Sequence, residues 1–271
     1  MSQPDASTAP QGPVLVTHSE GVCTVTLNRP DAMNSLDVAT KEALLGALQG
    51  AAADESVRCV VLTGTGRAFC VGQDLNEHVA LLAEDPQQLW TTVARHYNPV
   101  VELLATMDKP VIAALNGVAA GAGAAFAFAA DLRYVAASAG FNLAFTGIAL
   151  SCDSGTSWTL PRLVGAAKAK ELLYFPRTID AQECLALGLA TEVVPDEELA
   201  GKVAEVAHTL AAGPTLAYGA VRRAVNFSAG HPLTESLDYE DQQMTRTGTS
   251  EDHRAAVAAF LAKEKPRFSG R

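Results

Sequence analysis

The sequence predicts an α/β fold: a mixed core followed by an all-helical region. Strand-like and helix-like segments alternate as far as residue 195, and helical patterns alone follow. Residues 57–63, VRCVVLT, read as a mostly apolar run, as in a strand covered on both faces. Residues 110–115 form a second such run. A glycine-rich turn leads from it into an Ala/Phe segment without a breaker, which predicts a buried helix from about Ala122.

Each element has a local reason. Residues 13–18 and 22–28 are β-rich and flank Ser19-Glu20-Gly21, which predicts a hairpin. An amphipathic helix follows to about Ala52, with Asn34 or Ser35 as its N-cap. After the 57–63 strand comes a small-residue loop, then a helix over 74–82 that Asp85-Pro86 breaks. Residues 87–107 predict a long helix interrupted at Pro99, and 109–115 the next strand. Residues 131–136 and 140–144 predict extended pieces; 155–163 and 166–175 predict helices. A helix over 179–188 is capped by Asp180, and 190–194 closes the core. Four helices then cover 196–212, 214–226, 233–247 and 251–263. The domain reading is a tail at 1–12, a core at 13–195 and a helical region at 196–271.

Composition bounds the function. The chain has 271 residues, enough to bury a full core without staples. A formal charge of −10 argues against nucleic acid and anionic membrane surfaces as partners. No apolar stretch has the length of a membrane span. Residues 1–12 lack the basic and apolar parts of an export signal and predict a disordered tail. Five cysteines form no CxxC pair, so they predict reduced thiols and a cytoplasmic protein. Six scattered histidines without HExxH predict no metal site.

The chemistry centres on residues 116–131, NGVAAGAGAAFAFAAD. Glycines there let the backbone turn tightly, and a helix start beyond them points free N–H groups out of a side-chain-poor loop. Such a place holds an anion or a developing oxyanion. Close packing of a small-residue helix on a strand explains the same residues. The segment lacks the Lys and Ser/Thr of a phosphate-binding loop.

Residues 67–75, RAFCVGQDL, and 109–131, KPVIAALNGVAAGAGAAFAFAAD, together resemble the enoyl-CoA hydratase/isomerase (crotonase) family. The likeness continues through LPRLVG at 160–165, the 179–194 segment and AAFLAKEKPRFSG at 258–270. It implies a spiral of β-β-α units with a helical C-terminal region that builds a homotrimer or a dimer of trimers. It also implies an acyl-CoA thioester as substrate, with coenzyme A part of that substrate and no separate cofactor. Two backbone N–H groups hold the thioester oxygen, and the motif match places them on Gln73 and Ala122. Losing one such donor costs about 3–4 kcal/mol of transition-state stabilisation.

The resemblance also exposes a gap. Family hydratases add water with two glutamates, and those positions are Ala125 and Phe145 here. A carboxylate remains at Asp153, where family isomerases carry an acid. Residues 145–164 resemble the ring-epoxide isomerase branch of phenylacetate degradation. One carboxylate suffices for an isomerase. Phe145, Leu150 and Trp158 are expected to form an apolar setting that raises its pKa. The bland alternative for Asp153 is a cap for the following helix. Asp74 reads as an N-cap, Glu77 and Glu84 as solvated, and His78, His96 and Tyr97 as lining or surface residues. Cys70 and Cys152 have nothing nearby to activate a thiolate.

For the acyl-CoA, the family matches fall on Arg29, Ala32, Ala68, Gly72, Asp74, Leu75, Gly121 and Phe145. Phe260 and Lys263 match positions that reach a neighbouring subunit's CoA. The expected activity is isomerisation of a 3-enoyl-CoA or a ring-epoxide CoA ester. The alternatives are an atypical hydratase and a catalytically silent acyl-CoA-binding subunit.

Overall fold

Residues 12–271 are described by the computed structural model; apart from Gly12, the predicted tail lies outside the described residues. The hairpin forms as β1 (Val14–Ser19) and β2 (Val22–Leu27), paired antiparallel. Helix α1 (Val38–Ala53) starts later than the sequence implied. Its N-cap is Asp37, whose Oδ1 accepts from the Thr40 N–H at 2.8 Å. Asn34 instead has a left-handed backbone and ties three segments together. Its Nδ2 donates to the carbonyls of Thr65 and Ala68, and its Oδ1 accepts from the Arg29 N–H.

Strands β3 (Cys59–Gly64) and β4 (Ala68–Cys70) lead into α2 (Leu75–Glu84), capped by Asp74. The predicted 87–107 helix is three pieces: α3 (Pro86–Thr92), a π-helical turn (Val93–Tyr97) and α4 (Asn98–Thr106). The irregularity falls just before Pro99, which lacks an N–H for the helical ladder; the Asn98 N–H reaches back to Val93 O. Strands β5 (Val111–Leu115) and β6 (Val118–Ala120) precede α5 (Ala122–Ala129), in which every residue is buried. Then come β7 (Leu132–Ala136), β8 (Gly140–Asn142), α6 (Thr156–Val164), α7 (Ala166–Tyr174), β9 (Thr178–Asp180), α8 (Ala181–Ala186) and β10 (Glu192–Val194). Helices α9 (Leu199–Ala211), α10 (Thr215–Ser228), α11 (Leu233–Gly248) and α12 (Glu251–Ala262) end the chain.

The strands form two sheets, ordered β1-β2-β3-β5-β7-β10 and β4-β6-β8-β9. Successive turns of the chain place one strand in the large sheet and the next in the small one, the expected β-β-α spiral. In the large sheet, β2, β3, β5, β7 and β10 run parallel, and the strands near its centre, β3 and β5, are almost wholly apolar. A parallel sheet must be covered on its faces; α9 packs against β2, β3, β5 and β7, and β4 of the small sheet meets β3 and β5. In the small sheet, β4, β6 and β8 are parallel neighbours. Their C-terminal ends therefore lie side by side, and the loops that leave them must meet.

The helical region is tied back by arginines. Arg222 on α10 pairs with Asp131 at 2.7 Å and donates to the Met107 carbonyl at 2.8 Å. Among the described residues, no helix is long and apolar enough to cross a membrane.

Packing of α5 on β4 depends on Gly123. A Cβ there would lie 2.2 Å from the Cys70 carbonyl oxygen, and backbone cannot yield that much. Gly123→Ala is expected to cost about 1–3 kcal/mol or more in denaturant unfolding. Gly46 in exposed mid-helix α1 has open space around its Cβ position. Gly46→Ala should instead stabilise by about 0.5–1 kcal/mol, and equal effects at the two positions would contradict this packing account.

Candidate active site

A cavity of about 470 Å³ opens where the loops after β4, β6 and β8 meet. Its walls include Gln73 from the first loop, Gly121 and Ala122 from the second, and Phe145 and Asp153 from the third. Volumes of this order suit a small-molecule site.

Two main-chain donors face this region. Gln73 pairs with Leu36 as an isolated parallel bridge. The Leu36 N–H donates to Gly72 O at 2.8 Å and the Asp74 N–H to Leu36 O at 3.2 Å. In extended backbone, alternate amides point to opposite sides, so the Gln73 N–H points away from Leu36. Ala122 opens α5, where the first N–H groups have no intrahelical acceptor. Among the described residues, neither the Gln73 nor the Ala122 N–H has a protein acceptor. The peptides are close neighbours: a Cβ on Gly72, at φ +83°, would lie 3.3 Å from the Ala122 nitrogen. Two convergent, unpaired donors at the wall of a cavity can hold a carbonyl oxygen as it gains charge.

Two carboxylates line the cavity, and their surroundings separate them. Asp74 caps α2, accepting from the Asn76 and Glu77 N–H groups at 3.0 and 3.3 Å. It also accepts from the Ser35 hydroxyl at 2.9 Å and pairs with Arg29 at 3.0 Å. Burial raises its pKa, but the Ser35, Glu77, Arg29 and Asn76 donors outweigh this and hold it below the ordinary value. Asp74 is thus a fixed anion. Asp153 has far less support. The Ser154 hydroxyl donates to its Oδ1 at 2.8 Å, and burial pushes its pKa above the ordinary value. It does not cap α6 through its side chain: the N-cap is Gly155, and only the Asp153 carbonyl accepts, from the Thr156 N–H. Phe145 and Leu150 share the cavity wall with it, as expected. Trp158 does not; it lies under the Arg162 guanidinium and borders a second cavity.

A polar wall that sequence reasoning missed stands behind Gln73. The Lys41 side chain is 2% exposed, and its Nζ donates to Glu77 Oε1 at 2.7 Å, Thr92 Oγ1 at 3.0 Å and Gln73 Oε1 at 3.2 Å. Glu77, expected to be solvated, is bound by Lys41, the Gln73 amide and the Val38 N–H. The Tyr97 hydroxyl also donates to Gln73 Oε1. Burial pushes the Tyr97 phenol upward, and the nearby Asp153 charge adds to it. A sequence signal existed for Lys41: it shares the buried face of α1 with Leu44, Leu48 and Ala51. A lysine in an apolar stripe must find partners.

Other expected binding residues scatter. Ala32, Asp74 and Leu75 border the cavity, and Gly72 adjoins it through its backbone. Ala68 does not border it; it is fully buried in β4 and its carbonyl accepts from Asn34 and Asn116. Arg29 is not a free cation, because Asp37, Asp74 and the Ser35 carbonyl occupy its guanidinium. Phe260, 81% exposed, and Lys263 lie at the end of α12, outside the cavity wall. His96 is buried and meets Thr92, while His78 packs edge-on against Trp90 at the cavity rim. Cys70 is buried, its thiol pushed up to about 12.

Comparison with known proteins accords with this arrangement. The family description "Enoyl-CoA hydratase/isomerase" matches residues 17–271. The 1,2-epoxyphenylacetyl-CoA isomerase of Escherichia coli K12 is 40% identical, over 95% of this chain and 98% of its own. A 4-chlorobenzoyl coenzyme A dehalogenase of an Arthrobacter species is 32% identical, over 93% of this chain and 91% of its own. A crystal structure from Mycobacterium abscessus, provisionally described as an enoyl-CoA hydratase/isomerase, has 45% identity and a TM-score of 0.91. It covers 95% of this chain and all of its own.

The raised Asp153 pKa has a stability consequence. The folded protein binds a proton there more readily than the unfolded chain, so stability falls as pH rises from the ordinary value of 3.8 through the raised one. Asp153→Asn lacks this loss. Its melting temperature should exceed that of the wild type at neutral pH, and the gap should shrink as pH falls toward 3.8. A gap that widens on acidification would contradict the burial argument.

Proposed function

The chain belongs to the enoyl-CoA hydratase/isomerase family, and within it we propose an acyl-CoA isomerase that converts a 3-enoyl-CoA to a 2-enoyl-CoA or isomerises a ring-epoxide CoA ester. The observation that carries this reading is the single available carboxylate. Asp74 is held by four donors, the two positions of the hydratase glutamates are Ala125 and Phe145, and of the two carboxylates lining the cavity Asp153 is the one free to exchange a proton. The identity to an epoxide isomerase of E. coli supports the same branch.

The chemistry balances with that one group. The Asp153 carboxylate takes a proton from C2 of a 3-enoyl thioester. The electron pair moves into the carbonyl, and the dienolate oxygen is held by the N–H groups of Gln73 and Ala122. The Asp153 carboxyl then returns the proton to C4, so the double bond moves and the side chain is restored. A pKa raised toward the working pH suits a group that must both accept and donate. The cavity has room for a ring, since about 150 Å³ already admits benzene.

The substrate's CoA portion would lie at the rim near Ala32 and Leu75, with Phe260 and Lys263 serving a neighbouring subunit. A homotrimer or a dimer of trimers fits the apolar residues exposed on α10 and α11, among them Val221, Val225, Leu237 and Met244. The enzyme would work in the cytoplasm.

The test is turnover of 3-enoyl-CoA and 2-enoyl-CoA by wild type and Asp153→Asn. We expect the wild type to form conjugated enoyl-CoA from the 3-enoyl ester and to leave crotonyl-CoA unhydrated. Asp153→Asn should lose about 10²- to 10⁴-fold in kcat. Because the base must be ionised, wild-type kcat should fall as pH drops through a value above 3.8. Full activity of the variant would overturn the assignment. Hydration of crotonyl-CoA by the wild type would favour the hydratase reading.

A further inference from the structure

We propose that Lys41 is a positioning residue for the Gln73 N–H: by gripping the Gln73 side chain it holds the Gly72–Gln73 peptide against rotation. This rests on the reading of Gln73 as a thioester-oxygen donor. The peptide needs a second hold. Gly72, at φ +83°, gives the chain little stiffness. One main-chain bond, from the Leu36 N–H to Gly72 O, fixes the peptide from one side. The other hold is the side chain of the same residue. Gln73 Oε1 accepts from Lys41 Nζ and the Tyr97 hydroxyl, and Gln73 Nε2 donates to Glu77 Oε1 at 2.9 Å. That amide is fixed at both of its polar atoms.

The character of Lys41 points the same way. A charge buried this deeply, even when paired, adds little stability over an apolar residue of similar volume. Apart from Thr40 at its first turn, the buried residues of α1 beside Lys41 are the apolar Leu44, Leu48 and Ala51. Yet all three Lys41 donors have acceptors, and each acceptor belongs to a segment that borders the cavity: Gln73 from the β4 loop, Glu77 from α2 and Thr92 from α3. Lys41 therefore locks three parts of the cavity wall to α1.

The test uses the full chain and a p-dimethylaminocinnamoyl-CoA thioester, whose absorption moves to the red as its carbonyl is polarised. The variants are Lys41→Met and Tyr97→Phe. We expect a red shift on binding to the wild type. Lys41→Met should bind the ester within about threefold of wild-type affinity but lose most of that shift, with kcat on an accepted substrate about tenfold lower and KM little changed. A merely structural role would lower the folded fraction without moving the spectrum of the bound ester. A full shift in folded Lys41→Met overturns the proposal. Should that variant not fold, Tyr97→Phe removes one hydroxyl from the same Gln73 oxygen and should lose part of the shift; a full shift there overturns the proposal equally. A wild-type complex with no shift defeats the oxyanion reading itself, and the positioning role with it.

Discussion

An amide N–H with no acceptor is tolerated only where water or a ligand can reach it. The peptides of Gln73 and Ala122 meet this condition because β4, β6 and β8 run parallel and adjacent in the small sheet. Their ends converge, so a bridge residue and a helix start, far apart in sequence, present donors to one space. The close approach of α5 to β4 at Gly123 sets the spacing. The remaining features of the site, its carboxylates and its polar wall, are arranged around that pair.

Environment then divides the labour between two aspartates in the same cavity. Asp74 lies among donors and stays charged, which suits a residue that holds the start of α2 and the Arg29 guanidinium in place. Asp153 has one hydroxyl partner and apolar neighbours in Phe145 and Leu150, which favours its neutral form. The same side chain is a fixed anion in one loop and is held closer to its neutral form in the next, because hydrogen bonds to the charged form lower a pKa and burial raises it. At the two positions that the family resemblance assigns to the hydratase glutamates, the chain has Ala125 and Phe145. Phe145 adds an apolar surface to the cavity that Asp153 lines.

What could be read from the sequence was mostly local. The hairpin at Ser19–Val22, the apolar strands β3 and β5, the buried α5, and the caps at Asp74 and Asp180 each follow from a few consecutive residues. The family resemblance pointed to Gln73, Ala122 and Asp153, three residues that do line one cavity. What was missed depends on partners distant in sequence. Asn34 resembles an N-cap until Thr65 and Ala68 claim its amide. Glu77 looks like a surface residue on α2 until α1 brings Lys41 against it. Arg29 matches an acyl-CoA-binding position in the sequence, but Asp37 and Asp74 occupy its guanidinium. Trp158 is close to Asp153 in sequence, but α6 turns it toward Arg162. Tyr97 does line the cavity, one of the two readings the sequence allows for it, but from a π-helical turn that Pro99 alone does not announce.

Asn34, Glu77 and Arg29 share a property: each is a charged or polar group whose hydrogen bonds to distant segments are made. Such networks contribute little net stability for the groups they bury, yet they narrow the positions those groups can adopt. An apolar wall behind Gln73 would fold as well, but it would leave the glycine-hinged peptide held from one side. A site whose donors are main-chain amides cannot tune itself by changing the donor, since every residue carries the same N–H. It can change only how firmly that N–H is aimed, and the side chains that aim it are the buried polar ones behind the loop.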